Sequence, residues 1–236
     1  MTHTHGFGLI GFLDQADLVG KATLLVLLAM SLVSWYLIVT KAAAALATRR
    51  RAQAFLDSFW AAPSVEAVAS KLEDQPDRDP FSALTWHAVR ALRHHEQHGA
   101  KSLGESGAGG EFLARALRRV IDEETAQAES GLTLLASVGS TAPFIGLFGT
   151  VWGVYHALVE IGMSGQGTLD KVAGPVGEAL IMTAAGLAVA VPAVLAYNAF
   201  TRENRIVLSR LDGFAHDLFA LLTTGAHVAG QREGGS

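Results

Sequence analysis

The sequence predicts an all-α integral membrane protein with three transmembrane helices and long cytoplasmic helical extensions. Three observations predict it. Half of the 236 residues are hydrophobic and only 17% are charged, against roughly 25% in an average soluble domain. The deficit is concentrated in three uncharged blocks, and charge elsewhere is ordinary, as membrane spans joined by polar segments require. Between the blocks, apolar residues recur at helical spacing. The net charge of −4 gives no sign of nucleic-acid binding. With no cysteine, disulfides, thiol nucleophiles and thiolate metal sites are excluded.

Residues 1–17 read as a short, mildly amphipathic segment outside the cytoplasm, able to lie on a membrane surface. Residues 1–20 hold no Lys or Arg but do hold Asp14 and Asp17. The first apolar block is therefore expected to be a retained anchor and not a cleaved signal. The first span is 18–40. Its uncharged stretch from Ala22 to Thr40 makes about 28 Å of helix, near a hydrocarbon core of about 30 Å. Lys21 can snorkel at one end, and Trp35 and Tyr36 suit the headgroup layer at the other.

Residues 41–130 read as a cytoplasmic helical domain. Pro63 and the capping residue Ser64 predict a helix to Asp74. Pro76 and Pro80 are expected to break the chain. Phe81, Leu84, Ala88 and Leu92 keep a helical period up to His94, His95 and His98. Those histidines lack a third metal ligand at suitable spacing, and His3 and His5 sit at a terminus. Solvated side chains are the expectation for both groups. Five glycines between Gly99 and Gly110 predict a flexible loop. Leu113, Leu117, Val120 and Ile121 restart a helix that is expected to run unbroken into the second span.

The second span is 131–159. Residues 130–159 make about 45 Å of helix, so the span must tilt or protrude. A loop with Gly162, Gly165 and Gly167 is expected over 160–177. The third span is 178–201, and 202–236 hold a cytoplasmic amphipathic helix (Ile206, Leu211, Phe214, Leu218) and a polar tail. Twelve of the eighteen basic residues lie in 41–130 and four in 202–236; only Lys21 and Lys171 lie on the other side. The positive-inside rule thus predicts a cytoplasmic C-terminus and an N-terminus and 160–177 loop outside.

Two stripes of slim residues mark the long spans: Pro143, Gly146, Thr150, Gly153 and Ala157, and Ala179, Thr183, Gly186, Ala190 and Ala193. Such stripes let helix backbones approach closely. One account is a two-helix hairpin packing on itself within one subunit; because three helices cannot easily satisfy both stripes and the first span, an oligomer is the expectation. Glu178 enters the third span just after Pro175, a residue suited to a first helical position. A first-turn glutamate favoured by the helix dipole is one account of it. The other is functional, because an ionisable residue at a span marks a pathway when it faces a bundle interior. A helix N-terminus favours the carboxylate and burial disfavours it. A carboxyl near balance exchanges a proton as its access to water changes. Thr150 and Thr183 are the most deeply placed polar residues, able to bond to their own helices or to line a path. Glu178 and Thr183 are about 140° apart on an ideal helix, so they share no narrow face. No phosphate loop, metal cluster or Ser/His/Asp arrangement supports an enzyme, and no cofactor is expected.

STAPFIGLFGTVWGV (140–154) and EALIMTAAGLAVAVPAVLAYN (178–198) resemble the signature of ExbB proteins, within the ExbB, TolQ and MotA family of proton-channel motor subunits. One departure is GPVGEAL, which puts Gly177 where the family has alanine. The resemblance implies a homopentameric ring in a bacterial inner membrane around the helices of an ExbD-like dimer. That assembly would use the proton-motive force to energise a TonB-like protein for transport, including iron uptake, across the outer membrane. It also implies that Glu178, Thr150 and Thr183 line the pore. A TolQ-like role in outer-membrane invagination, or a non-conducting scaffold, are the alternatives.

Overall fold

The computed structural model describes residues 17–73, 79–99, 108–164 and 169–224, all helices and short turns, with no strand among them. Six helices follow in order: α1 (Leu18–Trp60), α2 (Val65–Leu72), α3 (Pro80–Gly99), α4 (Ala108–Glu129), α5 (Leu132–Ser164) and α6 (Leu169–Thr224). Three stretches, within α1, α4–α5 and α6, are long and apolar enough to cross a membrane. The chain divides into two compact units.

The first unit holds α1 up to Lys41, α5, and α6 up to Phe200. Its core is Leu27 of α1, Leu132, Leu135, Val138 and Ala142 of α5, and Val189, Ala190 and Ala193 of α6. The contacts between α5 and α6 step along the two helices in opposite directions. A Cβ on Gly139 would meet Val194, one on Gly146 would meet Gly186, and one on Gly153 would meet Ala179. The two slim stripes therefore pack largely on each other within one chain, as a two-helix hairpin does. The carbonyl of Gly139 loses its helical donor because Pro143 has no N–H, yet α5 continues through it.

The second unit holds the rest of α1, helices α2 to α4, and the end of α6. Ser64 caps α2, its hydroxyl accepting from the Ala67 N–H at 3.2 Å, as the sequence predicts. Helix α2 ends at Leu72 and Pro80 opens α3, so the two helices are separate, as expected. Asp79 is the cap: its Oδ1 accepts from the N–H groups of Phe81 (3.0 Å) and Ser82 (3.3 Å). Proline fits the next position because the N–H it lacks would be unpaired there anyway. Leu84, Ala88, Leu113, Leu117, Leu211 and Leu218 form the core around Phe214. The Phe214 ring meets those of Phe59 (5.1 Å) and Phe81 (5.6 Å) edge-on, the arrangement that ring quadrupoles favour. Ile206 is exposed and outside this core.

Three helix boundaries differ from expectation. The helix before the second span does not run on unbroken. Ser130 and Gly131 form a turn, with Gly131 at φ 75°, the left-handed conformation that ends helices and favours glycine. Helix α5 continues to Ser164 and α6 starts at Leu169, so most of 160–177 is helical and Pro175 lies inside α6. The third span and the last amphipathic segment form one 56-residue helix. Residues 1–16, among them His3 and His5, most of the glycine loop (100–107), and Pro76 lie outside the described residues, as do the side chains of His95 and His98.

Candidate functional site

The two threonines singled out in the sequence meet. Thr150 of α5 and Thr183 of α6 place their hydroxyl oxygens 2.6 Å apart. The Thr150 oxygen is also 2.8 Å from the carbonyl of Ala179 and 3.2 Å from that of Gly146. A hydroxyl has one proton and two lone pairs. The shorter carbonyl contact takes the Thr150 proton, so the Thr183 hydroxyl donates to Thr150. The pair ties α5 to the backbone of α6 one residue after Glu178. Both threonines are half-buried in the single chain. The Glu178 side chain lies outside the described residues; its position is on α6, next to this carbonyl.

Glycines bring the two helices close enough for that bond. A Cβ on Gly146 would stand 2.6 Å from the Met182 carbonyl oxygen and 3.0 Å from Gly186 Cα. One on Gly153 would stand 3.0 Å from the Ala179 Cβ. Gly149 faces Met182 on one side and the Thr23 methyl of α1 on the other. Ala190 is buried in the same seam, and Pro143 lies half-buried near its middle.

A polar link not foreseen in the sequence fixes α1 to α5. Trp152 Nε1–H donates to Asp17 Oδ2 at 2.6 Å, and the Gly20 N–H donates to Asp17 Oδ1 at 2.7 Å. Asp17 thus caps α1 as well as holding Trp152. An aspartate three residues before Gly20, at the edge of an apolar block, is a cap signal; the tryptophan partner, 135 residues away, has no such signal. Partial burial pushes the Asp17 carboxyl up. The hydrogen bonds from Trp152 and Gly20, the positive charge of His156 when protonated, and the Val19 N–H outweigh it, so the net shift is downward.

The sign of a pH effect follows. A carboxyl lowered on folding stabilises the folded state above its ordinary range, and that contribution is lost as pH falls through the folded value. Trp152→Phe is expected to lower the thermal midpoint in detergent at about pH 7, with the gap to the parent closing towards about pH 3. A gap that does not change with pH would remove Asp17 from the account.

No group of three or more His, Cys, Asp or Glu residues among the described residues is placed to hold a metal. His94 stacks on Phe112 of α4, with ring centres 6.5 Å apart.

Residues 83–212 match the MotA/TolQ/ExbB proton channel family. The chain is 45% identical over 212 residues to the biopolymer transport protein ExbB of Xanthomonas campestris pv. campestris, covering 89% of this chain and 84% of that one. It is 39% identical over 209 residues to ExbB of Neisseria meningitidis, covering 89% and 94%. It is 34% identical over 229 residues to the Tol-Pal system protein TolQ of Pseudomonas aeruginosa, covering 96% of each chain.

Proposed function

Because the chain belongs to the MotA/TolQ/ExbB proton channel family, we propose that it is an ExbB-like stator subunit of a bacterial inner membrane. With an ExbD-like partner it uses the proton-motive force to energise a TonB-like protein for active transport across the outer membrane. One observation carries this reading: a hydroxyl pair between two spans, bonded to the carbonyl beside Glu178, inside the segment that matches a proton channel family. Glu178 exchanges the proton, and Thr150 and Thr183 fix the backbone around it and offer hydroxyls to the same path. The 45% identity to the Xanthomonas campestris ExbB, against 34% to the Pseudomonas aeruginosa TolQ, supports the choice between them. Five copies form the ring around two ExbD-like helices, with the N-terminus periplasmic and the C-terminus cytoplasmic, as the distribution of basic residues suggests.

Complementation tests the reading. In a strain lacking its own ExbB, this chain expressed with its partner is expected to restore TonB-dependent iron uptake. Restored envelope integrity in a strain lacking TolQ, without restored iron uptake, would move the assignment to the TolQ-like role. Native mass of the purified particle is expected to give five copies with two of a lighter partner; a monomer or dimer counts against the ring.

The threonine pair gives a separate expectation. Interhelical hydrogen bonds in membranes contribute about 0.6 kcal/mol on average and up to about 1.7. Thr150→Val should therefore leave assembly intact. It removes the bond to Ala179 and the bridge to Thr183, so uptake is expected to fall to a small fraction of the parent rate. Thr150→Ser keeps the hydroxyl and is expected to stay near the parent rate. Equal uptake by the serine and valine variants would show that the hydroxyl is not used.

A further inference from the structure

We propose that a groove between α3 and α4 binds a phosphorylated organic anion, a role separate from proton-driven transport. The groove is open to solvent and has a volume of about 740 Å³, within the roughly 300–1,000 Å³ of small-molecule sites. Four arginines line it, Arg90 and Arg93 from α3 and Arg115 and Arg119 from α4, with His87 and His94 beside them. Glu123 is the one carboxylate in the lining. The spacing explains the convergence: 87, 90 and 94 fall on one face of α3, and 112, 115 and 119 on one face of α4.

The arginines are held in ways that an anion can displace. Arg115 pairs with Glu111 at 3.3 Å, Arg119 with Glu123 at 2.8 Å and Arg93 with Glu73 at 3.2 Å, all between exposed side chains. Exposed pairs of this kind contribute about 0.2–1 kcal/mol each. Bidentate bonds from arginine to phosphate are stronger and fit the planar fork of the guanidinium. Arg90 lies 4.9 Å from the centre of the Trp86 ring, a contact that uses its charge and not its N–H groups.

The groove is not purely ionic. Ala91, Ala116 and Val120 contribute small apolar surface, and Phe112 stacks on His94 at its edge. Arginines beside an apolar wall suit a ligand with a phosphate at one end and a carbon skeleton at the other. Two sources share that chemistry: a soluble nucleotide and a phospholipid headgroup.

Calorimetric titration of the full chain in neutral detergent tests this, with ATP and with short-chain phosphatidylglycerol as probes. Saturable binding of at least one is expected, and which one binds identifies the source. Arg90→Gln with Arg115→Gln is expected to weaken that binding by about tenfold or more. Arg90→Lys with Arg115→Lys, which keeps both charges and removes the forks, is expected to weaken it as well. Arg118→Gln is the control. Arg118 pairs with Asp122 at 3.2 Å and does not line the groove, so its variant should bind like the parent. Failure of both probes to bind, an equal loss on Arg118→Gln, or saturable binding of a polyglutamate peptide alone would overturn the proposal. None of these outcomes depends on iron uptake.

Discussion

Glu178→Gln is expected to abolish proton-driven transport while leaving the particle assembled. The substitution keeps the size and shape of the side chain and removes its exchangeable acid proton. A glutamine inside a helix still accepts hydrogen bonds and is a good helix former, so it does not open a cavity or strand a charge. Because α6 starts at Leu169, Glu178 lies past the first turn, beyond the reach of the helix N-terminus that favours a carboxylate. If it were only a solvated side chain, transport would continue without its charge. If it passes the proton, transport falls to background at every external pH, because no change of pH gives an amide a proton to exchange. TonB-dependent iron uptake, measured beside native mass of the variant particle, separates the two. Uptake at the full rate from an intact Gln variant would end the proton role.

A second large effect is expected at the seam between α5 and α6. Carbon atoms in contact normally stand about 3.5–4.0 Å apart. A Cβ on Gly146 would stand 2.6 Å from the Met182 carbonyl oxygen, and one on Gly186 would stand 2.6 Å from the Ala142 carbonyl oxygen. The opposing atoms are backbone, so no side chain can swing aside and the helices must separate. Separation by about 0.5–1 Å loses a quarter to a half of each dispersion contact along the seam. It also stretches the 2.6 Å bond between Thr150 and Thr183. Gly146→Ala is expected to cost about 1–3 kcal/mol. Gly146→Leu, with three more carbons to place, is expected to prevent accumulation of folded protein. Gly213→Ala supplies the contrast. Nothing lies within 4 Å of its added Cβ, and removing a helical glycine should stabilise by about 0.5–1 kcal/mol. Thermal midpoints in detergent check both signs. A Gly146→Leu protein that melts like the parent would refute close packing of this seam.

Much of this architecture was legible because its causes are local. Absence of charge over about twenty residues marks a span whatever surrounds it. Ser64 caps α2 through its own third neighbour. The period of Leu113, Leu117 and Val120 marks a buried face, and all three are buried. What was not legible depended on partners or on competing local rules. The slim stripes were visible, and their packing on each other was one of two accounts of them, but the register that sets Gly146 against Gly186 was not visible. Glycines at 162, 165 and 167 suggested a loop, yet α5 runs through Gly162 to Ser164, because a propensity cost of about 1 kcal/mol does not by itself end a long helix. The turn at Gly131 was hidden because apolar and small residues continue on its far side. The break before Phe81 was read from Pro80, but the cap that Asp79 supplies to the new helix was not. The threonines were each visible as polar groups in a span, but their contact needed the register of α5 against α6, which no single helix encodes.

The bond between Asp17 and Trp152 also marks depth. Asp17 lies level with Trp152, and the neighbouring Gly153 lies against Ala179. Residue 178 therefore sits at about the height where α1 begins, among groups able to meet water. Helices α5 and α6 continue beyond that height, to Ser164 and from Leu169. Thr183 is five residues further in, about 7.5 Å. If Glu178 exchanges the proton, as proposed, the apolar part of the path lies past Thr183, where α6 offers no polar side chain until Tyr197 and Asn198, about 20 Å on. Along that stretch Pro192 leaves the Ala188 carbonyl without its helical donor. The voltage across the membrane would therefore fall mainly over residues 184–196, and substitutions there should alter how transport depends on membrane potential more than how it depends on external pH.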